Sequence, residues 1–149
     1  MASKAGFAVF PEDRARSLNV VGEQITVLAS KEATQGYEIF FQDGPEGTGP
    51  PPHPHPWDEA FYVIRGDVEF GVGEKSMTAT PGTLVHLPAG TVHWFRFSKG
   101  GGQMLSMTGQ GSEASAMFSN IDKEIPPGAP DLDTLRTVAG RSGLRVFPG

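Results

Sequence analysis

"GPPPHPHPWDEAFYVIRG", residues 49–66, is the stretch on which the fold turns. Pro50, Pro51, Pro52, Pro54 and Pro56 fix φ and withhold amide donors, so the segment runs stiff and extended and forms no helix. Alternate side chains of an extended chain share a face, which puts His53 and His55 on one side. Asp58 and Glu59 follow at once, and "EAFYVIRG" then reads as a strand. Two imidazoles on one face with a carboxylate a short turn later are the parts of a metal site. They are equally the parts of a loop with two ordinary histidines, and the rest of the chain has to choose.

Downstream, "DVEFGVG" is the hairpin partner of that strand, with Val68, Phe70 and Val72 alternating against polar or small residues. "KSMTAT", a turn at Pro81-Gly82, "TLVHLP", a turn at Ala89-Gly90, "VHWFRF", the turn "SKGGGQ" and "MLSMTG" continue the same rhythm. Upstream, "SLNVVGEQITVLAS" predicts two strands around a turn at Gly22-Glu23, and "GYEIFFQ" predicts a third. About ten short strands joined by turns make an all-β sandwich or closed barrel, with its core over residues 17–110. Residues 111–149 read differently. "GSEASAMFSNIDKEIPPGAP" has little period-two pattern and predicts a segment laid across a barrel mouth. "DLDTLRTVAG" has an acidic start, Leu132, Leu135 and Val138 at helical spacing, and a terminating glycine, so the one substantial helix is predicted at 131–139.

Composition narrows the function. At 149 residues, with Gly 20 and Pro 13, one strand-rich domain is the simplest expectation. The absence of cysteine excludes a disulfide, a thiolate nucleophile and a zinc finger. A net charge of −5 without a basic cluster argues against nucleic acid as a partner. No apolar run is long enough for a signal peptide or a membrane span, so a cytoplasmic chain is expected. Exposed barrel edges hint at a homodimer.

Spacing then favours the metal reading. Gly47, His53, His55, Glu59 and Gly66 form one group, and Gly82, Pro88, Gly90 and His93 a second. This arrangement resembles the two-part signature of the cupin superfamily, from which it departs only at Phe97, where the pattern commonly has Asn. The resemblance implies a double-stranded β-helix, or jelly-roll barrel, with a short C-terminal helix. It also implies that His53, His55, Glu59 and His93 hold one divalent transition metal. Three neutral imidazoles and a carboxylate suit Fe, Mn, Co, Ni, Cu or Zn and do not choose among them. His86, in "TLVHLP", has no partner at ligand spacing and reads as a hydrogen-bonded strand histidine.

Strand parity extends the site. If Glu59 points inward, Phe61 and Val63 follow while Tyr62 and Ile64 face away. If His93 points inward, so do Phe95 and Phe97, while Trp94 and Arg96 face out. The expected substrate pocket is an apolar, aromatic wall of Phe61, Val63, Phe95 and Phe97, closed by Met117, Phe118 and Ile121 from the late segment. These phenylalanines also suit ordinary barrel core. No Lys or Arg lies among the inward positions, which disfavours a small carboxylate as substrate.

Within the superfamily the chain looks most like small proteins related to quercetin dioxygenase. That likeness implies a metal-dependent dioxygenase for a flavonol-like or enolisable aromatic substrate, with Glu59 as the catalytic base. Two other classes stay open: a non-oxidative isomerase, lyase or cyclase, and a small-ligand-binding module without turnover.

Overall fold

The computed structural model describes residues 5–125 and 131–144; the closing stretch 145–149 lies outside them. In chain order come β1 (Leu18–Val20), β2 (Glu23–Ala29), the one-turn helix α1 (Lys31–Thr34), β3 (Glu38–Gly44) and β4 (Glu59–Arg65). Then follow β5 (Val68–Val72), β6 (Lys75–Ala79), β7 (Leu84–Leu87), β8 (His93–Phe97), β9 (Gly102–Thr108), α2 (Ala114–Glu124) and α3 (Leu132–Gly140). One sheet has the order β1-β2-β3-β9-β4-β7 and the other β6-β5-β8, all neighbours antiparallel. This is a cupin-type jelly-roll barrel.

Parity holds on the strands that matter. Glu59, Phe61 and Val63 of β4 are buried while Tyr62 and Ile64 are exposed; on β8, His93, Phe95 and Phe97 are buried and Arg96 is exposed. The proline-rich segment lies along β8. His53 and His93 exchange both backbone hydrogen bonds at 3.0 Å, the Gly47 amide donates to Phe97 O (2.8 Å), and the Phe97 amide donates to Thr48 O (2.9 Å). Two motifs distant in sequence are thereby zipped together. Gly66 shows why one motif position must be glycine: its φ is +75°, and an added Cβ would stand 2.2 Å from Gly101 O.

The first turn sits one residue earlier than expected. Val21 (φ 53°) and Gly22 (φ 88°) make it, so β2 begins at Glu23, which is turned into the barrel. A β-branched residue in the left-handed region is strained. Val21 is held there by packing against the apolar cluster that covers the barrel mouth.

That cluster corrects the prediction of a single helix. Residues 114–124 form α2, because Ala114, Met117, Phe118 and Ile121 recur at helical spacing and are all buried. At its amino end the N-cap residue Glu113 makes no side-chain cap, and Ser112 Oγ accepts from the Ala114 amide (3.1 Å). The Glu38 carboxylate of β3 accepts from the Ser115 amide (3.1 Å), the Ser112 hydroxyl (2.9 Å) and the Ser115 hydroxyl. A carboxylate there also faces the positive end of the helix dipole. At the far end Asp122 accepts from the Asn19 amide (2.8 Å) and Arg16 (2.7 Å), fixing α2 to β1. Helix α3 lies where the sequence predicts, capped by Asp131 and burying Leu135, Val138 and Ala139.

Apolar residues divide into two groups. One, with Phe61, Val63, Phe70, Phe95, Phe97 and Met104, fills the interior between the sheets. The other joins Ile25, Phe40 and Trp57 to the inner faces of α2 and α3. The candidate site lies between them.

Candidate metal centre

Three ties set the positions of the candidate ligands. Besides the His53–His93 backbone pair, the Gly90 amide donates to His55 O (2.9 Å), and the Asp58 carboxylate accepts from the Ala89 amide (2.8 Å). Both motifs are therefore clamped at the turn that precedes β8. The result is a buried cluster: ring nitrogens of His53, His55 and His93 all lie within 4.8 Å of one another. Glu59 stands at its edge, with Oε1 2.8 Å from His55 Nε2 and 3.5 Å from His93 Nε2.

Each ring is oriented through its other nitrogen. Nδ1 of His53 donates to Pro51 O (2.8 Å), that of His55 to Trp57 O (2.9 Å) and that of His93 to Thr91 O (2.9 Å). A proton committed to Nδ1 leaves the Nε2 lone pairs free, the usual arrangement of a metal-binding histidine. Burial, and then the neighbouring His93, lower the His53 pKa to about 3, so its ring is neutral. Burial alone would raise Glu59, but the imidazoles of His55 and then His93 close to its carboxylate override it and hold the carboxyl at about 2.

The donor set fits a divalent ion. His93 Nε2 is buried without a hydrogen-bond partner. His55 faces acceptors at both nitrogens, Trp57 O and Glu59, and a neutral ring has one proton for the two. A cation at Nε2 satisfies His55, His93 and Glu59 at once.

The cluster opens on a cavity with about 70 Å³ of free space. Of the pocket residues expected from sequence, Phe61, Phe95, Met117, Phe118 and Ile121 line it. Val63 and Phe97 do not. They are buried in the group between the sheets, where the Phe97 ring lies over Gly44 so closely that an added Cβ would meet it at 2.1 Å. His86 is exposed, and among the described residues its side chain makes no hydrogen bond. No Lys or Arg lines the cavity.

Three lining residues with polar groups escape the sequence reading. Trp57 is buried and stacks flat on His55, centroids 4.7 Å apart and planes 10° from parallel. Continuing the His53–His55 alternation by one step would have found it. Glu23 and Gln42 are the other two, each on an inward strand position beside apolar neighbours. Trp57 offers a reporter: titrating Co(II) or Ni(II) is expected to quench its fluorescence, and Trp57→Phe to remove most of that response. An equal quench in the variant would mean that the ion binds elsewhere, near Trp94.

Residues 40–106 match the family model for the cupin domain. With the barrel and the paired motifs, that match supports a member of the cupin superfamily. Quercetin 2,3-dioxygenase of Bacillus subtilis (strain 168) is 29% identical over 80 residues, 52% of this chain but only 24% of the relative. Among solved structures, KdgF from Halomonas sp. aligns with a TM-score of 0.67 at 17% identity, over 74% of this chain and 99% of that one. The polyketide cyclase RemF from Streptomyces resistomycificus aligns with a TM-score of 0.59 at 18% identity, over 70% and 80%. At such identities these structures speak for the fold alone. Among the described residues no helix is long and apolar enough to cross a membrane.

Proposed function

We propose that this cupin is a metal-dependent dioxygenase of a compact enolisable molecule, with His53, His55, His93 and Glu59 as the ligand set. The observation that carries this is the buried cluster of three histidine rings, each oriented through Nδ1, with Glu59 at its edge and His53, His55 and Glu59 facing a largely apolar cavity lined by no Lys or Arg. A bound divalent ion supplies Lewis acidity, which favours the enolate over the enol, and a means of engaging O₂. Glu59 is the carboxylate beside the histidine rings and takes the enol proton. Phe61 and Phe95 exclude water and offer ring faces to an unsaturated substrate. Met117, Phe118 and Ile121 form the cover.

Size refines the substrate. Sites for drug-sized ligands enclose about 300 Å³ or more, against about 70 Å³ here. A compact molecule suits that space, and a three-ring flavonol exceeds it.

The non-oxidative reading has one observation of its own, the second carboxyl group, Glu23, on the same cavity. Assays of the metal-loaded chain on enolisable diketones and hydroxyketones, with and without O₂, separate the readings. Loss of substrate matched by O₂ uptake is the expected result. Turnover without O₂ would make the chain an isomerase, lyase or cyclase, and tight binding without turnover would make it a binding module.

A further inference from the structure

Glu23 is only 2% exposed, yet its side chain makes a single long contact, from Gln42 Nε2 at 3.4 Å, among the described residues. Gln42 is itself buried, and its Oε1 has no hydrogen-bond partner. Buried polar groups are almost always paired, so a buried carboxyl with one long contact beside an unsatisfied amide oxygen needs a reason. Both line the cavity that holds the histidine cluster, and neither belongs to that cluster. They come from β2 and β3, and the rest of the wall they stand in, Val20, Ile25, Met117 and Phe118, is apolar. An acid and an amide in such a wall cost stability unless something in the cavity completes their hydrogen bonds.

We infer that Glu23 and Gln42 form a second polar station, which hydrogen-bonds a carbonyl or hydroxyl oxygen of the substrate other than the one that meets the histidine cluster. The substrate is then a bifunctional oxygenated molecule. One oxygen function is enolisable and the other lies across the cavity wall. Burial, and then the nearby Glu59 carboxylate, push the Glu23 pKa well above the ordinary range. That direction favours the protonated, donating form of Glu23, while Gln42 can donate through its amide nitrogen or accept through its oxygen. A neutral donor also explains how a carboxyl group persists here without a cation beside it. Glu23 is a positioning residue in this scheme, and Glu59 keeps the proton-transfer role.

The inference rests on the metal-centred reading and is tested apart from it. Kojic acid and allomaltol share the same hydroxyketone chelating edge and differ by one distal hydroxyl. Calorimetry on the zinc-loaded chain is expected to show kojic acid binding tighter by at least about fivefold, as one hydrogen bond to a buried partner allows. Glu23→Leu should erase that preference while zinc content and allomaltol affinity stay as they were. The near-isosteric Glu23→Gln, which keeps a donor in place, should retain most of it. An undiminished preference in Glu23→Leu, or none in the unmodified chain, would overturn the station. Failure of the underlying reading looks different: the chain then holds no zinc, or holds it and binds neither probe.

Discussion

With His93 replaced by alanine, the chain is expected to bind divalent first-row ions at least about a hundredfold more weakly, since losing even a group that merely orients a ligand costs 10–100-fold. The His93 ring is almost wholly buried, its Nε2 has no partner, and its Nδ1 donates only to Thr91 O. Truncation therefore removes a donor without stranding another side chain. The backbone pairing of His53 with His93 is indifferent to the side chain, so the barrel should persist. Competition against a chelator reads the affinity, and an unchanged circular dichroism spectrum certifies the fold. His86→Ala, on an exposed strand position, is the matched control and should bind as the unmodified chain does. Equal affinities in the two variants would remove His93 from the ligand set.

The second large effect is on stability. Phe97→Ala should destabilise the chain by about 3–5 kcal/mol, the usual cost of emptying a well-packed aromatic site. The ring is buried, meets Phe95 edge-on with centroids 5.8 Å apart, and covers Gly44 and Gly102, whose lack of a side chain makes room for it. Urea unfolding followed by circular dichroism measures the change. Metal affinity of the folded variant should stay within about twofold, because Phe97 lies outside the cavity wall. A small stability change with weakened ligand binding would return Phe97 to the pocket.

Phe97 also shows how far strand alternation can be read. Parity correctly turned Phe61, Val63, Phe95 and Phe97 inward, because side chains on a strand alternate without exception in these stretches. Parity says nothing about position along the barrel axis. Val63 and Phe97 lie further along β4 and β8 from Glu59 and His93, within the closed interior. The histidine cluster was legible because proline stiffness and period two are local, and the spacing of the two motifs supplied the rest. Helix α2 was hidden for the opposite reason. Its N-cap position, Glu113, makes no side-chain cap, and the carboxylate that receives the Ser115 amide is Glu38 of a distant strand, so only Ser112 marked its start locally. Its apolar positions were nonetheless there to be read, at 114, 117, 118 and 121. Glu23 was missed because a turn assigned to Gly22-Glu23 made it a loop residue, where an acid needs no explanation. Moving the turn by one residue makes it the first inward position of β2.

The central claim is that three histidines and Glu59 hold one ion. An X-ray absorption spectrum of the chain loaded with one equivalent of nickel or zinc tests it most directly, since imidazole rings give a distinctive outer-shell scattering pattern. The account predicts nitrogen and oxygen donors only, three imidazoles among them, and the loss of one imidazole contribution in His53→Ala. A spectrum of water and carboxylate donors without imidazole, or no retained ion at all, would contradict it.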